Sequence, residues 1–258
     1  MFNGKMKALT FSYDDGVGQD KRLIEIFNKY GLKGTFNLNS KLLGRKDNKS
    51  MVCGKLIDRP TAMPEDVKYI YEGHEVAAHT LRHPLLPAIE DDGEVIRQVE
   101  EDRQRLSELA GYEVVGFAYP CGGQNHDDRV AKLIKENTGV KYCRTIISNY
   151  SFETQTDLYK FKPTVYHFLE FNKMVELGEK FLEMKAETPQ IFYVWGHAYE
   201  FDRHDNWDRM EEICEKLSGK DIDGWLYNGV VVSLMLIIYG VLFIIIERFN
   251  AKKEDRWW

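Results

Sequence analysis

The sequence predicts an α/β protein built on parallel strands, and three observations predict it. Short apolar runs alternate with amphipathic stretches from about residue 7 to residue 219. The runs have the length of strands and the stretches between them the length of helices. Polar, chemistry-bearing residues stand at the ends of the runs, as they do where a site gathers at the C-terminal ends of parallel strands. A closed barrel and an open sheet both obey these rules.

The elements follow in order. "KALTFSY" reads as a strand and stops at Asp14-Asp15-Gly16. "DKRLIEIFNKYG" reads as a helix, with Leu23, Ile26 and Phe27 on one face, Tyr30 extending it and Gly31 at its stop. "KGTFNLN" is a second strand. A polar loop without a clear period runs from about residue 40 to 63. Pro64 then opens a short helix, "PEDVKYIYEG". "HEVAAH" is a strand, and "DDGEVIRQVEEDRQRLSELAG" a long helix ending at Gly111. "EVVGFAYP" (strand), "DDRVAKLIKENTG" (helix), "VKYCRTI" and "FKPTVY" (strands) continue the alternation. "FNKMVELGEKFLEMKAE" (helix), "QIFYVWGH" (strand) and "NWDRMEEICEKLSG" (helix) complete it. No repeat, low-complexity linker or domain boundary interrupts the chain before about Gly219, so residues 1–220 are expected to form a single domain.

Composition narrows the class. Of 258 residues, 43% are apolar and 13% aromatic, enough for a sizeable core. The net charge of −6 is interspersed, with no basic stripe, so no nucleic-acid partner is expected. Cys53, Cys121, Cys143 and Cys214 form no CxxC pair and read as reduced thiols of a cytosolic protein. The N-terminal residues hold no apolar stretch of signal-peptide length. The tail, residues 221–258, is atypical: Val230–Ile246 holds 17 residues without a charge. A helix of that length spans ~26 Å, just short of a ~30 Å hydrocarbon core. Arg248, Lys252, Lys253, Arg256, Trp257 and Trp258 follow and suit a membrane interface. The run reads either as a membrane anchor or as a last piece packed into the domain. The expected location is cytoplasmic, or membrane-associated through this run.

Two adjacent aspartates raise the chemical question. Asp14 and Asp15 repel one another unless a cation sits between them or water solvates them. "HTLRH" supplies His79 and His83, which share a face if the segment makes a helical turn. Two imidazoles and one carboxylate form the ligand set of a catalytic zinc site, and the same set suits other divalent ions. One aspartate would bind the ion and the other take a proton from water. Gly16 lets the backbone turn sharply beside them. Attack on a carbonyl also needs an oxyanion donor, and the N–H of Cys121 in the turn of "FAYPCGG" is placed for it. The leaving group needs an acid, and His197 at the end of "IFYVW" is the candidate. His74 lies off the shared face and reads as structural, while His126 and His204 sit among aspartates and read as solvated.

In this order the pieces resemble the polysaccharide deacetylase family, carbohydrate esterase family 4 with its NodB homology domain. "FSYDDG" is similar to its first motif, "HTLRH" to its second, "FAYPCG" to its third and "VWGH" to its fifth, over about residues 7–220. The resemblance implies a distorted (β/α)7–8 barrel of the NodB type. It implies one divalent ion, zinc foremost with cobalt, nickel or manganese as alternatives, and removal of acetyl groups from sugars such as N-acetylglucosamine. By position, Asp14 would be the general base and Asp15, His79 and His83 the metal ligands. The Cys121 N–H would hold the oxyanion beside Tyr119, Trp195 would line the acetyl pocket, and His197 would be the general acid. The chain departs from the pattern twice within this span. Ala118 stands where an arginine usually orients the base, with Arg144 in "YCRT" placed to reach the same point from the next strand. The aspartate that usually pairs with the acid histidine has no match between Ser148 and Phe171, where Asp157 is the only aspartate. The usual ending of the family also lacks a run like 230–246. Two other readings are an allantoinase-like amide hydrolase of a small nitrogenous metabolite and a non-catalytic carbohydrate-binding relative. Stacked aromatics along an open groove would favour a sugar, and a closed pocket with an arginine a small anion or ureide.

Overall fold

A computed structural model describes residues 2, 5–219 and 222. The run 230–246, and with it the expected anchor, lies outside the described residues. Among the described residues, no helix is long and apolar enough to cross a membrane.

The chain runs β1 (Lys7–Asp14), α1 (Asp20–Lys29), β2 (Gly34–Leu38), β3 (Lys49–Val52), β4 (Lys55–Asp58), α2 (Val67–Ile70), β5 (Glu75–Ala78) and α3 (Asp92–Ala110). It continues with β6 (Gly116–Ala118), α4 (Asp128–Asn137), β7 (Tyr142–Arg144), β8 (Val165–Tyr166), α5 (Phe171–Glu183), β9 (Gln190–Gly196), α6 (Tyr199–His204) and α7 (Trp207–Leu217). Seven strands form one sheet in the order β7-β6-β5-β2-β1-β9-β8, with every pairing parallel. The ring shuts where Phe161, just ahead of β8, makes a parallel bridge with Arg144 of β7. The Phe161 N–H donates to Cys143 O at 2.9 Å, and Thr145 N–H to Phe161 O at 2.9 Å. The fold is thus a distorted barrel of the NodB type.

Strand periodicity explains why this barrel has a polar lumen. Side chains alternate across a strand. In β1, Leu9, Phe11 and Tyr13 join the main apolar core. Ser12 and Asp14, on the other face, meet Asn37 of β2. β5 puts Glu75 inward against Thr35 (2.7 Å) and Tyr142 (2.9 Å). Gly116 of β6 must stay small, since a Cβ there would lie 2.3 Å from the Tyr142 hydroxyl. The helices cover the outer face through residues such as Leu23 and Phe27 of α1, Val99 and Leu106 of α3, and Phe181 of α5.

Three local expectations are corrected. The 40–63 stretch is not all loop: β3 and β4 pair as an antiparallel hairpin, with Cys53 and Gly54 at its tip, both at positive φ. "HTLRH" makes no helical turn. It is a bend in which Thr80 and His83 adopt positive φ. The helix opened by Pro64 is a 3-10 turn, Pro64–Asp66, followed by the four residues of α2. The structure also adds α6, directly after His197.

Candidate active site

The strand ends build the site. Asp14 is the last residue of β1, and Asp15 follows in the left-handed region at φ 79. Its N–H still donates to Asn37 O at 3.0 Å. That one left-handed step aims both carboxylates into the same cleft, with Gly16 (φ 63) completing the turn. His79 directly follows β5, and its bend is anchored to α3. The Asp102 carboxylate accepts from the N–H of His79 (3.0 Å) and of Ser40 (2.7 Å). Burial pushes Asp102 up to about 7. Asn39 clamps the same bend through the carbonyls of His79 and Thr80.

Asp15, His79 and His83 converge: one ligand atom from each lies within 4.8 Å of the others. Asp15 Oδ1 stands 3.8 Å from His79 Nε2 and 3.6 Å from His83 Nε2. His79 Nδ1 donates to Ala118 O at 2.8 Å, which directs the lone pair of Nε2 toward Asp15. Burial holds His79 down at about 4, so its imidazole is neutral at pH 7, the state in which a histidine can bind a metal ion. Burial alone would raise Asp15. The neighbouring His197, His79, His83 and Arg59 outweigh it and hold the carboxyl below its usual value. Arg59 donates to the other Asp15 oxygen at 2.5 Å and stacks over Tyr199. This donor set fits a divalent cation and leaves room for water and substrate.

Asp14 stays outside that triad. It is 2% exposed, and both of its oxygens accept from Arg144 Nη2, at 2.7 and 2.5 Å. Asn37 Nδ2 donates to Oδ1 at 2.7 Å, and Oδ2 lies 3.9 Å from His79 Nε2. Strand register explains how Arg144 gets there, since it sits directly beside Ala118 in the β6–β7 pair. The small residue on one strand leaves space for the long one on its neighbour.

His197 follows β9 and meets a partner that the sequence reading did not single out. Glu200, on the first turn of α6, accepts from His197 N at 2.9 Å and holds His197 Nδ1 at 2.9 Å. Oε2, which takes the His197 N–H, also lies 3.1 Å from His167 Nε2, and Tyr166 Oη donates to Oε1, the oxygen that faces His197 Nδ1. Burial opposes charge on His197, but Glu200, Asp15 and Asp14 lift it to about 9. Burial would raise Glu200, and His197 and His167 drive it well below the usual range. Asp157 takes no part, since it caps the 3-10 turn Leu158–Lys160.

The cleft has a volume of about 690 Å³. Trp195 stacks on Tyr166 with centroids 4.2 Å apart, and the Arg144 guanidinium lies 4.5 Å from the Trp195 ring. Trp195 Nε1 is buried without a partner among the described residues. Cys121 sits at φ 69 beside His83, with its thiol 3.6 Å from His83 Nδ1. Tyr119 borders the cleft, but its hydroxyl donates to Tyr159 O at 2.9 Å, away from the aspartates. His74 is a core residue. His126 rests against Tyr119 and Asn125, and His204 packs on Phe168.

The sequence profile of the polysaccharide deacetylase family matches residues 2–142, more than half of the chain. The chain belongs to the polysaccharide deacetylase family. Solved structures carry the same fold. A mutant of peptidoglycan deacetylase PdaC from Bacillus subtilis matches over 98% of both chains, at 15% identity and TM-score 0.53. A family 4 carbohydrate esterase from Streptomyces lividans, in complex with acetate, matches 85% of this chain and 91% of its own, at 15% identity and TM-score 0.52. A family 4 pseudoenzyme from Bacillus anthracis matches 88% of this chain and 66% of its own, at 16% identity and TM-score 0.52. No curated protein matches the chain in sequence. Scaffolds of this fold thus include at least one pseudoenzyme, so activity depends on the residues in the cleft.

Proposed function

We propose that residues 1–220 form a metal-dependent deacetylase of acetylated amino sugars. The observation that carries this reading is the division of labour between the paired aspartates. Asp15 faces two imidazoles, while Asp14, one residue earlier, is kept apart by Arg144 and Asn37. A divalent ion held by Asp15, His79 and His83, zinc foremost, would polarise the acetyl carbonyl and acidify the attacking water.

The remaining steps fall to the chain's own groups. Asp14 Oδ2 accepts a proton as water adds to the carbonyl carbon. The Cys121 N–H donates to the developing oxyanion. His197, protonated at pH 7, gives its Nε2 proton to the sugar nitrogen as the C–N bond breaks. Acetic acid and the amine leave and exchange a proton to become acetate and ammonium, and the proton on Asp14 returns through solvent to His197. Trp195 and Tyr166 line the cleft as an apolar wall against which the acetyl methyl can rest. A binding module would gain nothing from a base held apart beside a ligand triad.

Metal analysis joined to an acetate-release screen tests this reading. The substrates are chitooligosaccharides, peptidoglycan, xylan and free monosaccharides. The expected result is about one ion per chain and acetate from at least one amino sugar. Asp14→Asn keeps the ion and loses about a hundredfold or more of turnover. His79→Ala loses both. A fully active Asp14→Asn would overturn the base assignment.

A further inference from the structure

The charges of the cleft specify something about its substrate. This step rests on the deacetylase reading and adds a class of sugar to it. Besides three histidines, the charged side chains lining the cleft are Asp14, Asp15, Arg45 and Arg59. Both carboxylates are already matched: Arg144 takes Asp14, and Arg59 takes Asp15 at 2.5 Å. Arg45 is left over. It is exposed at the cleft, and among the described residues its guanidinium has no ion pair. An ion bound by Asp15, His79 and His83 would only increase the positive surplus.

Arg45 is not on a loose end. Its N–H donates to Thr61 Oγ1 and its carbonyl accepts from Thr61 N–H, both at 2.9 Å. The wall that carries it is pinned in turn. Arg203 of α6 donates to Val52 O (2.9 Å) and Cys53 O (2.7 Å), and Lys55 donates to Asp202 O (2.6 Å). The guanidinium therefore springs from a fixed root in the wall of the cleft that Trp195 and Tyr166 also line. A neutral sugar would cover an arginine without pairing it, which wastes its charge and strips part of its water. An anion would pair it and gain a charge-assisted hydrogen bond.

We infer that the deacetylated sugar carries an anionic group, a carboxylate or a phosphate, which meets Arg45 on the 40–61 wall. Matched probes separate the sources: N-acetylglucosamine is neutral, N-acetylmuramic acid adds a carboxylate, and N-acetylglucosamine 6-phosphate adds a phosphate. Acetate release by the metal-loaded full chain is measured for each, with Arg45→Gln and Arg45→Glu variants and a salt series. Equilibrium binding of the same three sugars to Asp14→Asn is measured alongside. For wild type, kcat/KM for at least one anionic sugar is expected to exceed that of the neutral sugar by about tenfold. Arg45→Gln should cut that ratio about tenfold, Arg45→Glu should cut it further, and added salt should erode it. Acetate release with no charge preference, or a ratio that ignores Arg45, overturns the inference and leaves the deacetylase reading standing. Arg45-dependent binding of an anionic sugar without acetate release sustains the inference and overturns the deacetylase reading. Neither release nor binding overturns both.

Discussion

Glu200 serves two imidazoles and a phenol with one buried carboxylate. Its charge and hydrogen bond are what lift His197 to about 9 against the pull of burial. An acid must be protonated to act, so turnover should hold across neutral pH and fall only as His197 loses its proton. Glu200→Gln removes the charge but keeps the shape. The alkaline limb of the kcat profile should then move to lower pH. An unmoved limb would mean that some other group sets it. This pairing was hidden in the sequence for a positional reason. The family pattern directs the search upstream of His197, between Ser148 and Phe171, whereas the carboxylate lies three residues downstream on a short helix. Arg144 was easier to read, because adjacent parallel strands bring the ends of "GFA" and "YCR" side by side. Asn37, the third support of the pair, could have been found from the alternation of Thr35, Asn37 and Asn39 on one face of its strand.

At the scale of elements, β9 carries His197 past a very tight point. A Cβ on Gly196 would lie 1.8 Å from His167 Cδ2 and 3.1 Å from Glu200 Oε2. Gly196→Ala should cost about 1–3 kcal/mol by overpacking, read as a lower midpoint in denaturant melts. It should also shift the imidazole resonance of His167, because the displaced ring is the one beside Glu200. The strands and long helices were legible because each repeats one rule: period two for β1 and β2, and an apolar stripe for α1 and α3. The β3–β4 hairpin was not. Its strands are four residues each, largely exposed, and turn on a cysteine at positive φ, a residue that gives no turn signal of its own. The "HTLRH" bend was misread for a similar reason. The i, i+4 spacing is real, but Thr80 and His83 in the left-handed region bring the rings together without a helix.

For the molecule as a whole, His74 ties stability to pH. It packs against Phe27 and Phe36, accepts from Gly34 N–H at 3.2 Å and meets Asn28 Oδ1 at 3.1 Å. Burial, helped by Lys33, holds it down to about 4. The folded value lies below the unfolded one, so the unfolded chain binds more protons between about pH 6.5 and 4. The contribution is present in full above that window and drains away as pH falls through it. The whole effect is on the order of 3 kcal/mol. Urea midpoints of wild type should drop across the window, and His74→Gln should flatten the drop. A slope that His74→Gln leaves unchanged would assign the effect to other groups. The seam of the barrel has a consequence of its own. The two residues whose backbone latches Phe161, Cys143 and Thr145, flank the one whose guanidinium grips Asp14, Arg144. Under the deacetylase proposal, closing the ring therefore steadies the arm that aims Asp14, and a half-assembled chain would hold that arm less firmly.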